Sequence, residues 1–319
     1  MINAILEKIN FYDSIVIFGH LNPDGDCYGS QMALRRSLKL KYPHKEIYAV
    51  GSGLHRFYST LGKMDVVSEK IIEHSLAIIV DGNDIQRMED QRIKFAKDFI
   101  KFDHHVDVGS FVEGPFIVKE NASSCCEILL DFFLENNFPI DQQIAQCLLL
   151  GIVTDTARFQ FVSNPEKTFK DAAYLCNLGA DMDSLNKVLN QSSENAASFK
   201  GYVYTHYKKT ENGLLYLRLS YRQIKRFKLN PNAASSMVNL LSNIRGYPVW
   251  AFICENANKT LHIEMRSNGP QVQPIALKYG GGGHPYAAGT TINDPTGEII
   301  NSLINELDFL AKSWNEQLL

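Results

Sequence analysis

Through the first hundred residues, short apolar runs alternate with stretches in which apolar positions recur three or four apart. Ser14-Ile15-Val16-Ile17-Phe18-Gly19 is nearly unbroken and reads as a strand buried on both faces. Residues 2–11 before it have the pattern of a short helix. Residues 29–40 carry Met32, Ala33, Leu34, Leu38 and Leu40 among Arg and Lys, the pattern of an amphipathic helix. Residues 46–51 and 77–80 predict two further strands, and 97–102 a weaker one. Strands alternating with helical stretches predict a parallel α/β sheet.

Beyond residue 123 the pattern turns helical. Ser123 and Ser124 are placed to cap a helix over 125–135, with Glu127 near the capping-box position. Pro139 and Asp141 open another, which ends at Asp155. Residues 164–207 are polar and mostly helical, with Asn177-Leu178-Gly179 as a stop signal. Strand-like runs return at 215–219, 248–254 and 261–265, around a helical stretch at 233–244, and predict a smaller second α/β domain. The expected division is a first domain over 1–190, a linker over 191–210 and a second domain over 211–319. No repeat or low-complexity tract interrupts this order.

At 319 residues the chain can bury two cores. Its net charge of −3 provides no general basic field for long nucleic acid, although a local basic pocket remains open to it. Six cysteines form no CxxC pair, and Cys125 and Cys126 are adjacent. That suits neither a disulfide framework nor a zinc knuckle, and reads as reduced thiols of a cytosolic protein. The first residues carry acids and lack a basic leader segment. No apolar run approaches the roughly 18 residues that span a bilayer, so no membrane is expected as a partner.

Acid and imidazole groups collect where the predicted strands end. His20, Asp24 and Asp26 follow the first strand, Asp81 follows the run at 77–80, and Asp103-His104-His105 follows 97–102. A parallel sheet brings these three groups to one edge, where open α/β sheets bind ligands. Asp155 joins them in composition. Any one of these aspartates could be a turn or a helix cap. Crowded together, however, they raise each other's pKa unless cations neutralise them. A pair of metal ions sharing a carboxylate and a water removes that difficulty. Imidazole among the carboxylates favours Mn²⁺ over Mg²⁺. In the second domain, Gly280-Gly281-Gly282-Gly283-His284 could bring backbone N–H groups close to a phosphate, and Arg266 could add a bidentate contact.

HLNPDGDCYGS, the strand ending in Asp81, FDHHVDVG and GIVTDTARFQF resemble the four motifs of the DHH phosphoesterases. GGGGHPYAAG, preceded by Met265-Arg266-Ser267, resembles the hallmark of their DHH-associated C-terminal domain. The motifs stand in family order from residue 18 to 289. The two-domain length is similar to the NrnA-type nanoRNases, which degrade very short oligonucleotides, the dinucleotide pApA and adenosine 3′,5′-bisphosphate.

The resemblance implies a parallel-sheet DHH domain followed by a smaller α/β DHH-associated domain. It implies two Mn²⁺ ions, with Mg²⁺ or Co²⁺ as substitutes. One would be held by His20, Asp24 and Asp81, the other by Asp26, His104 and Asp155, with Asp81 bridging. His105 would orient the substrate phosphate or assist proton transfer. Asp103 would fix the His104 tautomer or the loop. Arg266, Ser267, Gly281, Gly282, Gly283 and His284 would receive a terminal phosphate. The implied activity is hydrolysis of short oligonucleotides to nucleoside 5′-monophosphates. A RecJ-like exonuclease, a pyrophosphatase of the same superfamily and a non-catalytic nucleotide sensor are the alternatives, and homodimerisation is left open. Three departures stand out: Cys27 where a small apolar residue is usual, Cys125-Cys126 where Ser/Thr and a small residue are usual, and Ala157 in place of a glycine. The second motif, VDGNDIQRM, keeps Asp81 and Arg87 but adds Asn83-Asp84 to the usual wording.

Overall fold

The computed structural model describes residues 1–82, 84–105, 113–294 and 296–317, which fall into two compact units, Met1–Gln191 and Ser192–Leu319. Asn83 and residues 106–109 of the DHH-like motif lie outside the described residues.

The first unit begins with α1 (Ile2–Phe11) and β1 (Ser14–Phe18), followed by α2 (Gly25–Lys41) and β2 (Glu46–Ala49). Two short helices, α3 (Tyr58–Leu61) and α4 (Glu69–Glu73), lead to β3 (Leu76–Val80), β4 (Asp98–Asp103) and β5 (Phe116–Val118). All strand pairs are parallel, in the order β2-β1-β3-β4-β5. The apolar runs at β1 and β3 are buried because they are central strands covered on both faces. Strand order reverses between β1 and β3, which opens a crevice at their carboxyl ends. Strand β5 carries no signal strong enough to read from sequence, being three residues long and only half-buried.

Helix α2 begins four residues earlier than its apolar pattern predicts. The Asp24 carboxylate accepts the Asp26 and Cys27 N–H groups at 3.0 Å each and caps the helix there. Four helices then follow: α5 (Cys125–Glu135), α6 (Gln142–Asp155), α7 (Pro165–Asn177) and α8 (Met182–Asn190). Ser124 caps α5 through the Glu127 N–H, while the Glu127 carboxylate accepts from Ser123 N and not from the cap residue itself. Asp141 caps α6 and also accepts from Arg36 of α2 at 2.7 Å. Helices α2 and α6 cross closely. A Cβ on Gly29 would lie 2.4 Å from the Cys147 carbonyl oxygen, and one on Gly151 would lie 2.2 Å from Cys126 Sγ.

In the second unit, α9 (Glu194–His206) precedes β6 (Lys208–Lys209), β7 (Leu214–Leu219), α10 (Tyr221–Arg226), α11 (Pro231–Ser235), β8 (Val249–Glu255) and β9 (Leu261–Ser267). Then come α12 (Gln273–Lys278), β10 (Gly282–His284), β11 (Ala287–Ile292) and α13 (Glu298–Gln317). Residues 191–210, expected as a linker, are therefore mostly α9, whose Phe199 and Val203 are buried against Leu215, Leu217 and Trp250. The stretch 233–244 divides into α11 and a 3₁₀ turn at Val238–Leu241. The sheet order is β10-β11-β9-β8-β7-β6, antiparallel except between β7 and β8. Ile300, Leu303, Leu307 and Ala311 of α13 recur every three or four residues and pack on it. No described helix is long and apolar enough to cross a membrane.

One buried side chain ties α2 to the sheet. The Gln31 amide donates to the Ile17 carbonyl at 3.2 Å and the Val50 carbonyl at 3.0 Å. Gln31→Leu keeps the volume and removes both donors. Its expected cost is about 1–3 kcal/mol, read as a lower denaturation midpoint by far-ultraviolet circular dichroism. An unchanged midpoint would show that water replaces these bonds without penalty.

Candidate metal centre

Each acid and imidazole is positioned by an element end. His20 follows β1, in a segment held by Leu21 N donating to the Arg87 carbonyl at 2.7 Å and Glu89 N donating to the Gly19 carbonyl at 3.1 Å. Its Nδ1 lies 3.0 Å from the Leu21 carbonyl oxygen, which makes Nδ1 the proton-bearing nitrogen and leaves Nε2 for the crevice. Asp24 and Asp26 stand at the amino end of α2. Asp81, just past β3, has φ +56, a left-handed conformation unusual for a residue with a side chain. Asp103 ends β4 and His104 and His105 follow it. Asp155 is the last residue of α6, at the end of a helix whose dipole disfavours a carboxylate.

These residues converge on Asp81. Its Oδ2 lies 3.4 Å from His20 Nε2, and its Oδ1 lies 3.4 Å from His104 Nε2. His20 Nε2 is also 3.9 Å from Asp24 Oδ1, and His104 Nε2 is 3.3 Å from Asp155 Oδ2 and 3.9 Å from Asp26 Oδ2. Two ligands roughly 2.1 Å from one ion sit roughly 3.0–3.5 Å apart at octahedral or tetrahedral angles. The shorter separations suit a shared cation. Asp81 Oδ1 is buried and meets no aligned hydrogen-bond donor, an orphan that a cation would satisfy. Ligand atoms of Asp26, His104 and Asp155 lie within 4.8 Å of one another, as do those of Asp81, His104 and His105, and those of His20, Cys27 and Asp81. These groups fit divalent metal ions; Asp24, whose Oδ1 accepts two backbone N–H groups, stands in none of the three.

Asp26 is fully buried because the amino end of α5 receives it. Its Oδ2 accepts from Cys125 N at 2.6 Å and its Oδ1 from Cys126 N at 3.0 Å. Backbone amides, helped by the helix dipole, make these contacts. The cysteine side chains stand elsewhere, with Cys125 Sγ donating to the Phe102 carbonyl and Cys126 Sγ beside Ser30 Oγ. The unusual Cys125-Cys126 pair therefore leaves the Asp26 contacts intact.

Charge is unevenly shared. Burial pushes the Asp26 carboxyl well up, and the Asp81 and Asp155 charges add to it. Burial also pushes Asp155 up to about 7. Asp81 is buried as well, yet the His104 and His20 rings outweigh burial and hold it well below the usual carboxylate range. Burial acts to lower both imidazoles, but Asp81 and Cys27 push His20 up to about 12, and Asp81, Asp26 and Asp155 push His104 up to about 10. In the metal-free chain, protons on the two rings supply the positive charge that this group of carboxylates requires.

The DHH pair divides its roles by geometry. Asp103 Oδ1 accepts from His105 Nδ1 at 2.8 Å and from His105 N at 3.2 Å. His104 instead turns its Nδ1 toward the Ala122 carbonyl oxygen at 3.4 Å. Asp103 thus holds the ring and backbone N–H of His105, while the His104 tautomer is set from the segment before α5. After Asp155 the chain makes a left-handed turn, with φ +47, +63 and +64 at Ala157, Arg158 and Phe159. The Thr156 hydroxyl secures this turn by accepting from Phe159 N at 2.9 Å. Sequence reasoning noted the missing glycine at Ala157 but not this turn. It also missed the α5 amides, for which backbone groups leave no residue signal.

In the second unit the register places His284 opposite Ala287, and Ala287 opposite Arg266. Residues directly opposite share a face, so Arg266, Ala287 and His284 form one row of it and Glu264, Gly289 and Gly282 the next. Arg266 Nη1 donates to Glu264 Oε2 at 2.8 Å. Ser267 is buried, and its hydroxyl donates to the Pro270 carbonyl. A Cβ on Gly281 would lie 2.1 Å from the Gly289 carbonyl oxygen and one on Gly283 2.5 Å from that of Ala287, so the hairpin itself requires both glycines. Gly282 meets nothing within 4 Å.

The fold and this cluster define a two-domain protein with a metal-binding crevice at the carboxyl edge of a parallel sheet. Residues 14–152 match the DHH family N-terminal domain and residues 211–313 match the DHHA1 domain; the chain belongs to the DHH family. It is similar to the bifunctional oligoribonuclease and PAP phosphatase NrnA of Mycoplasma genitalium, with 34% identity over 92% of this chain and 93% of that protein. The protein of the same name from Bacillus subtilis is 32% identical over 92% of this chain and 93% of its own length. Among solved structures, an exopolyphosphatase-related protein from Bacteroides fragilis shares the fold at a TM-score of 0.88 and 23% identity, covering 98% of this chain and 97% of that one. RecJ from Thermus thermophilus, solved in complex with Mn²⁺, shares it at a TM-score of 0.55 and 12% identity, over 97% of this chain and 54% of that chain.

Two outcomes follow from the geometry. Asp81→Ala removes the carboxylate shared by both poles, and is expected to lose both ions at concentrations that saturate the parent protein. Metal analysis finding both still bound at parent affinity would refute the shared role. Metal loading near neutral pH is also expected to expel protons, because His20 and His104 must become neutral to bind an ion. Titration calorimetry in buffers of different ionisation enthalpy measures this, and apparent affinity should rise with pH. Equal heats in all buffers would count against the proton-filled site.

Proposed function

We propose that this chain is a phosphodiesterase using two Mn²⁺ ions. It hydrolyses very short oligonucleotides and dinucleotides such as pApA to nucleoside 5′-monophosphates, and removes phosphate from adenosine 3′,5′-bisphosphate. The observation that carries the reading is Asp81, buried and left-handed, with one oxygen toward His20 and an unsatisfied one toward His104. The names of the relatives NrnA supply the substrate class, and the Mn²⁺ of RecJ agrees with the mixed imidazole and carboxylate donors.

When bound, divalent ions supply charge neutralisation at phosphoryl oxygens and an activated water nucleophile. His20, Asp24 and Asp81 would hold one ion, and Asp26, His104 and Asp155, with Asp81, would hold the other. His105, fixed by Asp103, orients the scissile phosphate or moves a proton at its ring. Arg266, Gly281, Gly282, Gly283 and His284 bind a phosphate of the substrate away from the reacting bond, on a turn that Ser267 supports. The open face at Gly282, beside the row of Arg266, Ala287 and His284, supports this role, with Arg266 exchanging its Glu264 partner for the phosphate. The Ser267 hydroxyl gives its one proton to the Pro270 carbonyl and lies on the buried face, so its part is to hold the turn after β9 rather than to donate to the phosphate.

The test is cleavage rate against length, from two to twenty nucleotides, with the bisphosphate and pyrophosphate alongside, in Mn²⁺. Rates should fall steeply with length, and preferred attack on long strands or pyrophosphate would reject the reading. Arg266→Ala and Gly282→Ala separate the second unit's part. Loss of a charge-assisted contact costs roughly 1.5–3 kcal/mol, or about one to two powers of ten in kcat/KM for 5′-phosphorylated dinucleotides. Cleavage of bis-p-nitrophenyl phosphate, which lacks the second phosphate, should hardly change. An equal loss on both substrates would assign these residues to the fold or to the chemistry.

A further inference from the structure

We propose that the Cys27 thiolate is an additional ligand of the ion held by His20, Asp24 and Asp81, and that it makes this site softer than its neighbour. The inference rests on the two-ion reading above. Cys27 lies in the first turn of α2, one residue beyond Asp26, and is wholly buried. Its Sγ, a His20 ring nitrogen and an Asp81 carboxylate oxygen all lie within 4.8 Å of one another. Gly19 makes room for it, since a Cβ there would lie 2.4 Å from the sulfur.

The other cysteines around the centre have different surroundings. Cys125 Sγ donates to a main-chain carbonyl at 3.3 Å and Cys126 Sγ meets the Ser30 hydroxyl at 3.2 Å. Cys27 has Gln31 Oε1 only at 4.0 Å, and the Gln31 side chain is anchored by its amide nitrogen to two backbone carbonyls. What the Cys27 sulfur faces closely is the imidazole and carboxylate of the site. Independently, the buried Asp81 carboxylate has an unsatisfied Oδ1, which faces His104 and points to a cation within the cluster, while its Oδ2 is the oxygen turned to His20.

The two poles then differ in donor chemistry. The first offers nitrogen, oxygen and sulfur, whereas Asp26, His104 and Asp155 offer nitrogen and oxygen alone. Thiolate selects softer ions such as Zn²⁺, Co²⁺ and Cd²⁺, and carboxylate with imidazole suits Mn²⁺. On coordination one metal–sulfur bond forms and the thiol proton passes to solvent; no atom changes oxidation state. The chain is therefore built to accept unlike ions, with the softer one beside His20.

The experiment loads the full-length, metal-free protein with Co²⁺ and records metal stoichiometry together with near-ultraviolet absorption. A sulfur-to-cobalt charge-transfer band is expected in the parent protein. Cys27→Ala places a small apolar residue at this position, and near-ultraviolet circular dichroism checks its fold. It should keep its cobalt, lose the band, and bind Cd²⁺ on the order of tenfold more weakly relative to Mn²⁺ than the parent does. Cys27→Ser should likewise lack the band. Two bound cobalt ions without a band in the parent would overturn the proposal, as would a band surviving in Cys27→Ala or an unchanged cadmium-to-manganese preference. Failure to bind cobalt at all would overturn the two-ion reading and this inference with it.

Discussion

Mutual repulsion among carboxylates is the constraint that shapes the first unit. Asp24, Asp26, Asp81 and Asp155 are held around two imidazoles, with Asp26 and Asp81 almost without solvent. Such an arrangement persists only with compensating positive charge. The fold provides it in layers. Amides at the start of α5 take both oxygens of Asp26, those at the start of α2 take one oxygen of Asp24, and His20 and His104 stand on either side of Asp81. What remains is the unsatisfied oxygen of Asp81, the place where the protein alone is insufficient. The crevice is thus organised for cations before any substrate arrives.

Much of this is legible in the chain. Apolar runs at β1 and β3 fix the central strands because those strands are buried on both faces. The acids that follow them share an edge because the strands are parallel. Element ends were harder to read. Helix α2 starts at Gly25 because the Asp24 side chain outweighs the weak helix propensity of Gly25 and Asp26. Strand β5 is three residues long and half-buried, and β10 is a three-residue piece of the glycine run, so local pattern carries little of either. The second unit takes in α9 because Phe199 and Val203 find partners in β7 and β8, a tertiary fact hidden in a polar stretch.

The site residues divide in the same way. Side chains that act by their own chemistry, such as His20, Asp81 and His104, announce themselves by type and spacing. Groups that act through the backbone do not. The α5 amides that hold Asp26 would be the same with many residue types at 125 and 126. The left-handed turn from Ala157 to Phe159 is hidden for another reason. Residues with side chains occupy a conformation that each disfavours by about 1–2 kcal/mol in a helix, and neighbouring contacts hold them there.

The close crossing of α2 and α6 bears on how other chains of this kind should be read. Asp26 near the start of one helix and Asp155 at the end of the other are brought into one cluster because Gly29 and Gly151 let the two backbones approach. A methyl group at Gly151 would come within 2.5 Å of Asp26 Oδ1 as well as striking Cys126. A homologous chain could therefore retain every acid and imidazole of the four motifs and still be unable to assemble them, if a bulkier residue stood at this inconspicuous position. Inventory of ligands alone would class such a chain as an enzyme; the spacing of its helices would make it a degenerate copy.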